Sequence, residues 1–172
     1  MINFIRVEVS TKNINKLENN IFSEDYSIFN NLREYAIIAD GVTRDEYFKK
    51  GFSLAYKSAK KSSNVLSSIL KGDKFKDNKE AIRKGFIEAN NAIKKINEKE
   101  GLFKNCNYLD KDLAGTCLAC LKKENDYFYY GFVGDCRIFK ISLDKKIFIT
   151  EDVVEKARID FPKIKDLEKR RF

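Results

Sequence analysis

Apolar and polar residues alternate over several short stretches of this chain and recur at helical spacing over two longer ones. Phe4 to Val9 alternates apolar and charged residues and reads as a strand. Tyr26 to Phe29 and Tyr35 to Ala39 read as two more, with Asn30-Asn31 as the turn between them, so the chain opens as a β-meander. From Glu46 to about Leu70 the residues Phe48, Phe52, Ala55, Ala59, Val65, Leu66 and Ile69 predict a long helix, with Ser62-Ser63-Asn64 as its weak point. Gly72 and Asp73 break that pattern. Asp77, followed three residues later by Glu80, has the form of a capping box and opens a second helix carrying Ala81, Ile82, Phe86, Ala89, Ile93 and Ile96. A polar loop with Gly101 and Asn105 to Asn107 leads to four apolar stretches, Leu113 to Leu121, Tyr127 to Val133, Arg137 to Ile141 and Ile147 to Ile149, each bounded by Gly, Asp or Lys. Strands, a helix pair and strands again predict an α+β layered domain with an antiparallel sheet.

The 172 residues, 43% hydrophobic and 13% aromatic, suffice for one domain with a sizeable core, and no repeat or linker divides them, so residues 1–172 read as a single unit. The apolar stretch Ile2 to Val9 is short and interrupted by Asn3, Arg6 and Glu8, which suits neither a secretory signal nor a spanning helix. The expectation is a soluble, cytoplasmic protein without a membrane partner. Cys117-Leu118-Ala119-Cys120 has C-x-x-C spacing, but on a strand residues three apart point to opposite faces, and no second such pair follows. Reduced, mostly buried thiols are the better account of Cys106, Cys117, Cys120 and Cys136.

The net charge of +8 raises a nucleic-acid partner as a question. The lysines are scattered along the expected helices and the tail, without the interleaved aromatic residues of RNA-binding signatures, which argues for solvated helix faces instead. A basic surface equally steers an acidic or phosphorylated partner.

The candidate chemistry centres on Asp40-Gly41, at the end of the apolar run Tyr35 to Ala39. An acid at a strand end can project its carboxylate into a cleft, and a neighbouring glycine lets a ligand approach the backbone. The pair is also an ordinary turn dipeptide. Glu24-Asp25 could likewise be an exposed acidic turn, Asp135 the cap of a tight hairpin, Gly115 and Thr116 sheet-packing residues, and Arg137 a surface arginine. The chain has no histidine, which removes Ser-His-Asp and Cys-His catalysis and histidine-ligated zinc from contention. Its carboxylates suit hard divalent cations.

In order and rough spacing, Ser23-Glu24-Asp25-Tyr26-Ser27, Ala39-Asp40-Gly41, Ala114-Gly115-Thr116, Gly134-Asp135-Cys136-Arg137 and Thr150-Glu151-Asp152 resemble the successive motifs of the metal-dependent protein phosphatases of the type 2C family. The resemblance implies a four-layer α-β-β-α sandwich of antiparallel sheets. It implies hydrolysis of phosphoserine or phosphothreonine by water activated between two Mn2+ or Mg2+ ions, with a phosphorylated protein as substrate. By the same resemblance Asp40 would bridge the ions as the catalytic residue, the Gly41 carbonyl would bind one of them, Glu24 or its neighbour Asp25 would hold that ion's waters, and Asp135 would reach a third, weaker position.

The sequence departs from that family in three places. Further metal-binding aspartates belong to a C-terminal segment that these 172 residues do not show, so the sandwich is expected to be incomplete, with sheet edges open to self-association. A catalytically inactive phosphatase-like binding or regulatory module is the alternative. Asp40-Gly41 continues as Val42-Thr43-Arg44, where Val42 cannot donate a proton as the histidine of many eukaryotic members is proposed to do. Asn20 stands where many members carry a phosphate-binding arginine, a role for which Arg44 is the substitute on offer.

Overall fold

Two adjacent helices cover one face of an antiparallel sheet: its strand Tyr35–Val42 alternates buried and exposed residues, and each helix buries one stripe. The computed structural model describes residues 24–42, 53–72, 75, 77–103, 113–144 and 147–151. The elements are β1 (Tyr26–Asn30), β2 (Tyr35–Val42), α1 (Leu54–Lys71), α2 (Asn78–Lys99), β3 (Gly115–Glu124), β4 (Tyr127–Val133), β5 (Phe139–Ile141) and β6 (Ile147–Ile149). The first four strands form one sheet in the order β1-β2-β3-β4, and β5 and β6 form a separate two-stranded sheet. All pairings are antiparallel, as the strand and turn pattern predicts. The expected strand Phe4 to Val9 lies outside the described residues. A helical layer, the main sheet and a second small sheet are present, and a second helical layer is absent among the described residues.

The register divides the main sheet into two faces. Tyr35, Ile37, Ala39 and Gly41 are buried on β2, whereas Ile38, Asp40 and Val42 are exposed. The buried set pairs with Lys122, Cys120, Leu118 and Thr116 of β3. Tyr35, Ile37, Ala39, Leu118 and Cys120 join Ala59, Leu66 and Leu70 of α1 and Ala81, Ile82 and Ala89 of α2 in one core. Burial of such apolar area contributes roughly 25 cal/mol per Å2.

Helix α1 begins at Leu54, where Ser53 caps it by accepting a hydrogen bond from Tyr56 N at 3.1 Å. The expected earlier stretch from Glu46 falls in residues 43–52, which lie outside the described residues. Ser62 and Ser63 do not break the helix. They are buried in the stripe Ala55, Ser58, Ala59, Ser62, Ser63, Leu66, Ser67 and Leu70, whose small side chains let α1 lie close to its neighbours. Ser62 Oγ donates to the Ala59 carbonyl at 3.0 Å, so its polarity is satisfied inside the helix. Helix α2 begins where the sequence predicts, with Asp77 Oδ1 accepting from Lys79 N at 2.9 Å. None of the described helices is long and apolar enough to cross a membrane.

Candidate active site

Strand β2 carries Asp40 to the end of the sheet on the face away from the helices, and the carboxylate is exposed. Gly41 faces the other way, toward the first turn of α1, where a Cβ would stand 2.5 Å from the Ala55 carbonyl carbon and carbonyl oxygen. Only a glycine lets the strand end come this close to the helix. Thr116 Oγ1 donates to the main-chain carbonyl of Asp40 at 2.8 Å, which holds the peptide after the acid from the neighbouring strand. Thr116 therefore does more than fill space in the sheet.

Cys117 stands directly across the ladder from Asp40. Beyond β4 the chain turns at Gly134, with φ of +80°, a conformation that favours glycine. A Cβ there would run into Cys117 Sγ and Cβ, so the turn folds tightly over Cys117 and presents Asp135 beside it. Burial, and then a hydrogen bond to the Asp135 carboxylate, push the Cys117 thiol up to about 11. Burial, followed by the charges of Cys117 and Asp40, pushes Cys136 up to about 12. Both thiols are neutral at physiological pH.

Asp40, Cys117, Asp135 and Cys136 thus meet at one end of the molecule. The two thiols were not legible as neighbours of the acid, because only the pairing of β2 with β3 brings them there. Thr150, at the start of the last sequence motif, is buried and closes the following segment: its Oγ1 accepts from Ile138 N at 3.0 Å and its own N donates to the Ile138 carbonyl at 3.2 Å.

Glu24 is not the exposed turn that its sequence allows, being only 3% exposed. Tyr26 pairs with Ala39 at the end of the β1–β2 ladder, so Glu24 and Asp25 immediately precede the strand that runs beside the Asp40 segment. Asp135 and Arg137 are both exposed. Arg44 lies outside the described residues. The donors at this sheet end are oxygen atoms of the kind hard cations take, yet no group of three or more acidic, cysteine or histidine side chains able to hold a metal occurs among the described residues.

No protein-family model matches the chain, and no curated protein matches it. Solved structures do. The crystal structure of the Mycobacterium tuberculosis serine/threonine phosphatase PstP/Ppp is similar with a TM-score of 0.59 and 17% identity, covering 86% of this chain and 56% of that one. The catalytic domain of serine threonine protein phosphatase PstP in complex with 2 manganese ions is similar with a TM-score of 0.60 and 18% identity, covering 86% of this chain and 57% of that one. At this identity the likeness concerns the fold: the α+β arrangement of antiparallel strands and a helix pair expected from the type 2C resemblance is present, with one helical layer among the described residues. The chain spans little more than half the length of these phosphatase structures.

Proposed function

We propose that this chain carries the Asp40-centred part of a metal-dependent serine/threonine protein phosphatase, acting on phosphoserine or phosphothreonine in a protein substrate. The observation that carries the reading is the position of Asp40: exposed near a strand end, across from the Cys117 that also meets Asp135, on a fold shared with a phosphatase catalytic domain in complex with two manganese ions. Asp40 would hold the metal through its carboxylate and Gly41 through its carbonyl. Glu24 or Asp25 and Asp135 would supply further oxygen atoms, and the remaining ligands would come from outside the described residues. A bound Mn2+ or Mg2+ supplies the positive charge that acidifies water and offsets the charge of a phosphoryl group.

The chain's own residues set the geometry. Gly41 seats the strand end on α1, and the Thr116 hydroxyl fixes the Asp40 carbonyl, so the carboxylate projects from a rigid element. Arg44 is the residue proposed to meet the substrate phosphate. The second reading is a catalytically inactive phosphatase-like module that binds a phosphoprotein or another partner.

The test is hydrolysis of p-nitrophenyl phosphate and a phosphothreonine peptide, with Mn2+ and with chelator, alongside calorimetric titration of Mn2+. Turnover that requires both metal and Asp40, and is abolished by Asp40→Asn in a protein that remains folded, is the expected result. A folded chain that neither binds Mn2+ nor turns over the substrates supports the second reading. Activity that survives Asp40→Asn removes Asp40 from the site.

A further inference from the structure

A groove of about 740 Å3 runs where α2 overhangs β4, the terminal strand of the main sheet among the described residues. That volume is in the range of sites that enclose a ligand or several side chains. Its helical wall is the stripe Lys79, Ile82, Arg83, Phe86 and Ile87, spaced three and four apart along one side of α2. Its floor is tight: a Cβ on Gly131 would lie 2.7 Å from Ile82 Cγ2 and 3.0 Å from Phe86 Cε2. Its rim is open, with Ile87 41% exposed.

Lys79 and Arg83 stand one helical turn apart on that rim, both exposed, and neither is held by an ion pair among the described residues. Lys84, on the same helix, is by contrast paired with Glu88 at 2.7 Å. An apolar trough bordered by two uncompensated cations selects its occupant by charge. A basic or neutral segment seated there would strip water from the cations and return nothing, whereas carboxylates would pair with them.

We propose that this groove docks an acidic, amphipathic peptide segment of a protein partner, with apolar side chains against Ile82, Phe86 and Ile87 and carboxylates at Lys79 and Arg83. Gly131 and α2 belong to the helix-covered face of the sheet, and Asp40 projects from the opposite face, so an occupant leaves Asp40 uncovered. The proposal does not rest on the phosphatase reading and holds for an enzyme or for a binding module.

The test uses a short fluorescein-labelled peptide of alternating glutamate and leucine, with a lysine-leucine peptide as control. Fluorescence anisotropy is followed for the parent chain, for the double variant Lys79→Glu/Arg83→Glu and for Ile87→Asp. All three positions are exposed, and circular dichroism checks that the variants keep the parent's secondary structure. The expected result is saturable binding of the acidic peptide alone, weakened roughly tenfold or more by the charge reversal and again by Ile87→Asp. Hydrogen exchange should slow at residues 79–87 and 128–132 when the peptide binds. Absence of binding, equal binding of the lysine peptide, or affinity unchanged in the charge-reversed variant overturns the proposal. A concentration-dependent dimer that Ile87→Asp abolishes and the acidic peptide does not displace assigns the groove to a second copy and also overturns it.

Discussion

Gly41 and Ala55 touch so closely that no side chain fits between them: a Cβ on Gly41 would stand 2.5 Å from the Ala55 carbonyl carbon and 2.9 Å from its Cβ. This contact fixes the end of β2, and with it Asp40, against the first turn of α1. Gly41→Ala sets a new methyl against backbone, which no rotamer change relieves. The expected loss is about 1–3 kcal/mol of unfolding free energy in urea. Gly115→Ala is the control, since its Cβ would meet nothing nearer than 3.8 Å, and it should change stability by less than about 0.5 kcal/mol. Equal effects at the two positions would mean that the strand end is not seated on the helix as described.

Tyr35 and Ser67 join the sheet to α1 through a buried hydrogen bond of 2.8 Å between their hydroxyls. The two deletions should differ. Ser67→Ala leaves the phenol oxygen buried in the core without its partner and should cost about 1–3 kcal/mol. Tyr35→Phe leaves a serine that can turn to a carbonyl of its own helix, as Ser62 does with Ala59, and should cost about 0.5–1.5 kcal/mol. Denaturant midpoints of the two variants and of the double variant give the coupling directly. Additive losses would contradict the bond.

Asn97 ties the last turn of α2 to the start of β3. Its Nδ2 donates to the Ala114 carbonyl at 2.9 Å, and its Oδ1 accepts from Ala114 N at 2.8 Å. This two-sided clasp stands just before Gly115-Thr116, of which Thr116 reaches the Asp40 carbonyl from β3. Asn97→Asp removes the donor and sets a charge in a buried site, and should destabilise the fold by about 2–4 kcal/mol. It should also speed amide exchange at residues 114–116 before the rest of β3. Uniform exchange along the strand would show that the clasp is not a local anchor.

The fold was legible where periodicity and punctuation agree. Asn30-Asn31, Asp77 and Gly101 mark the ends of elements whose apolar residues repeat at two or about 3.6, and β1, β2, α2, β3 and β4 fall where those signals put them. The cap at the start of α1, a Ser53 side chain accepting from Tyr56 N, is a matter of geometry that apolar spacing does not reveal. Ser62-Ser63 reads as a weak point by propensity and acts as packing, since small side chains suit a helix pressed on two neighbours. At the site, Asp40 was visible as an acid at a strand end. That Cys117 lies across from it, and that the Gly134 turn brings Asp135 to the same place, depends on a pairing between residues 77 positions apart in the chain, which no local pattern encodes.

Cys120 gives the fold a dependence on alkaline pH whose sign can be worked out. Its thiol is buried in the core, and burial, opposed in part by a hydrogen bond with the Gly131 main chain, pushes it up to about 12 from an ordinary value of 9.0. The folded chain therefore keeps this proton between those values while the unfolded chain gives it up. The contribution is fully present below pH 9 and declines as pH rises, by about 1.4 kcal/mol per pH unit, until the folded state also titrates. Lysines and tyrosines titrate in the same range, so the parent's pH profile alone is not diagnostic. Cys120→Ala isolates the thiol: the small cavity costs about 1 kcal/mol at every pH, while the pH-dependent part disappears. Urea denaturation at about pH 8 and about pH 10.5 should show the parent losing roughly 2 kcal/mol more than the variant between the two conditions. Equal slopes for parent and variant would mean that Cys120 ionises as readily in the folded chain as in the unfolded one, and that the interface between β3 and the helices is wetter than its packing implies.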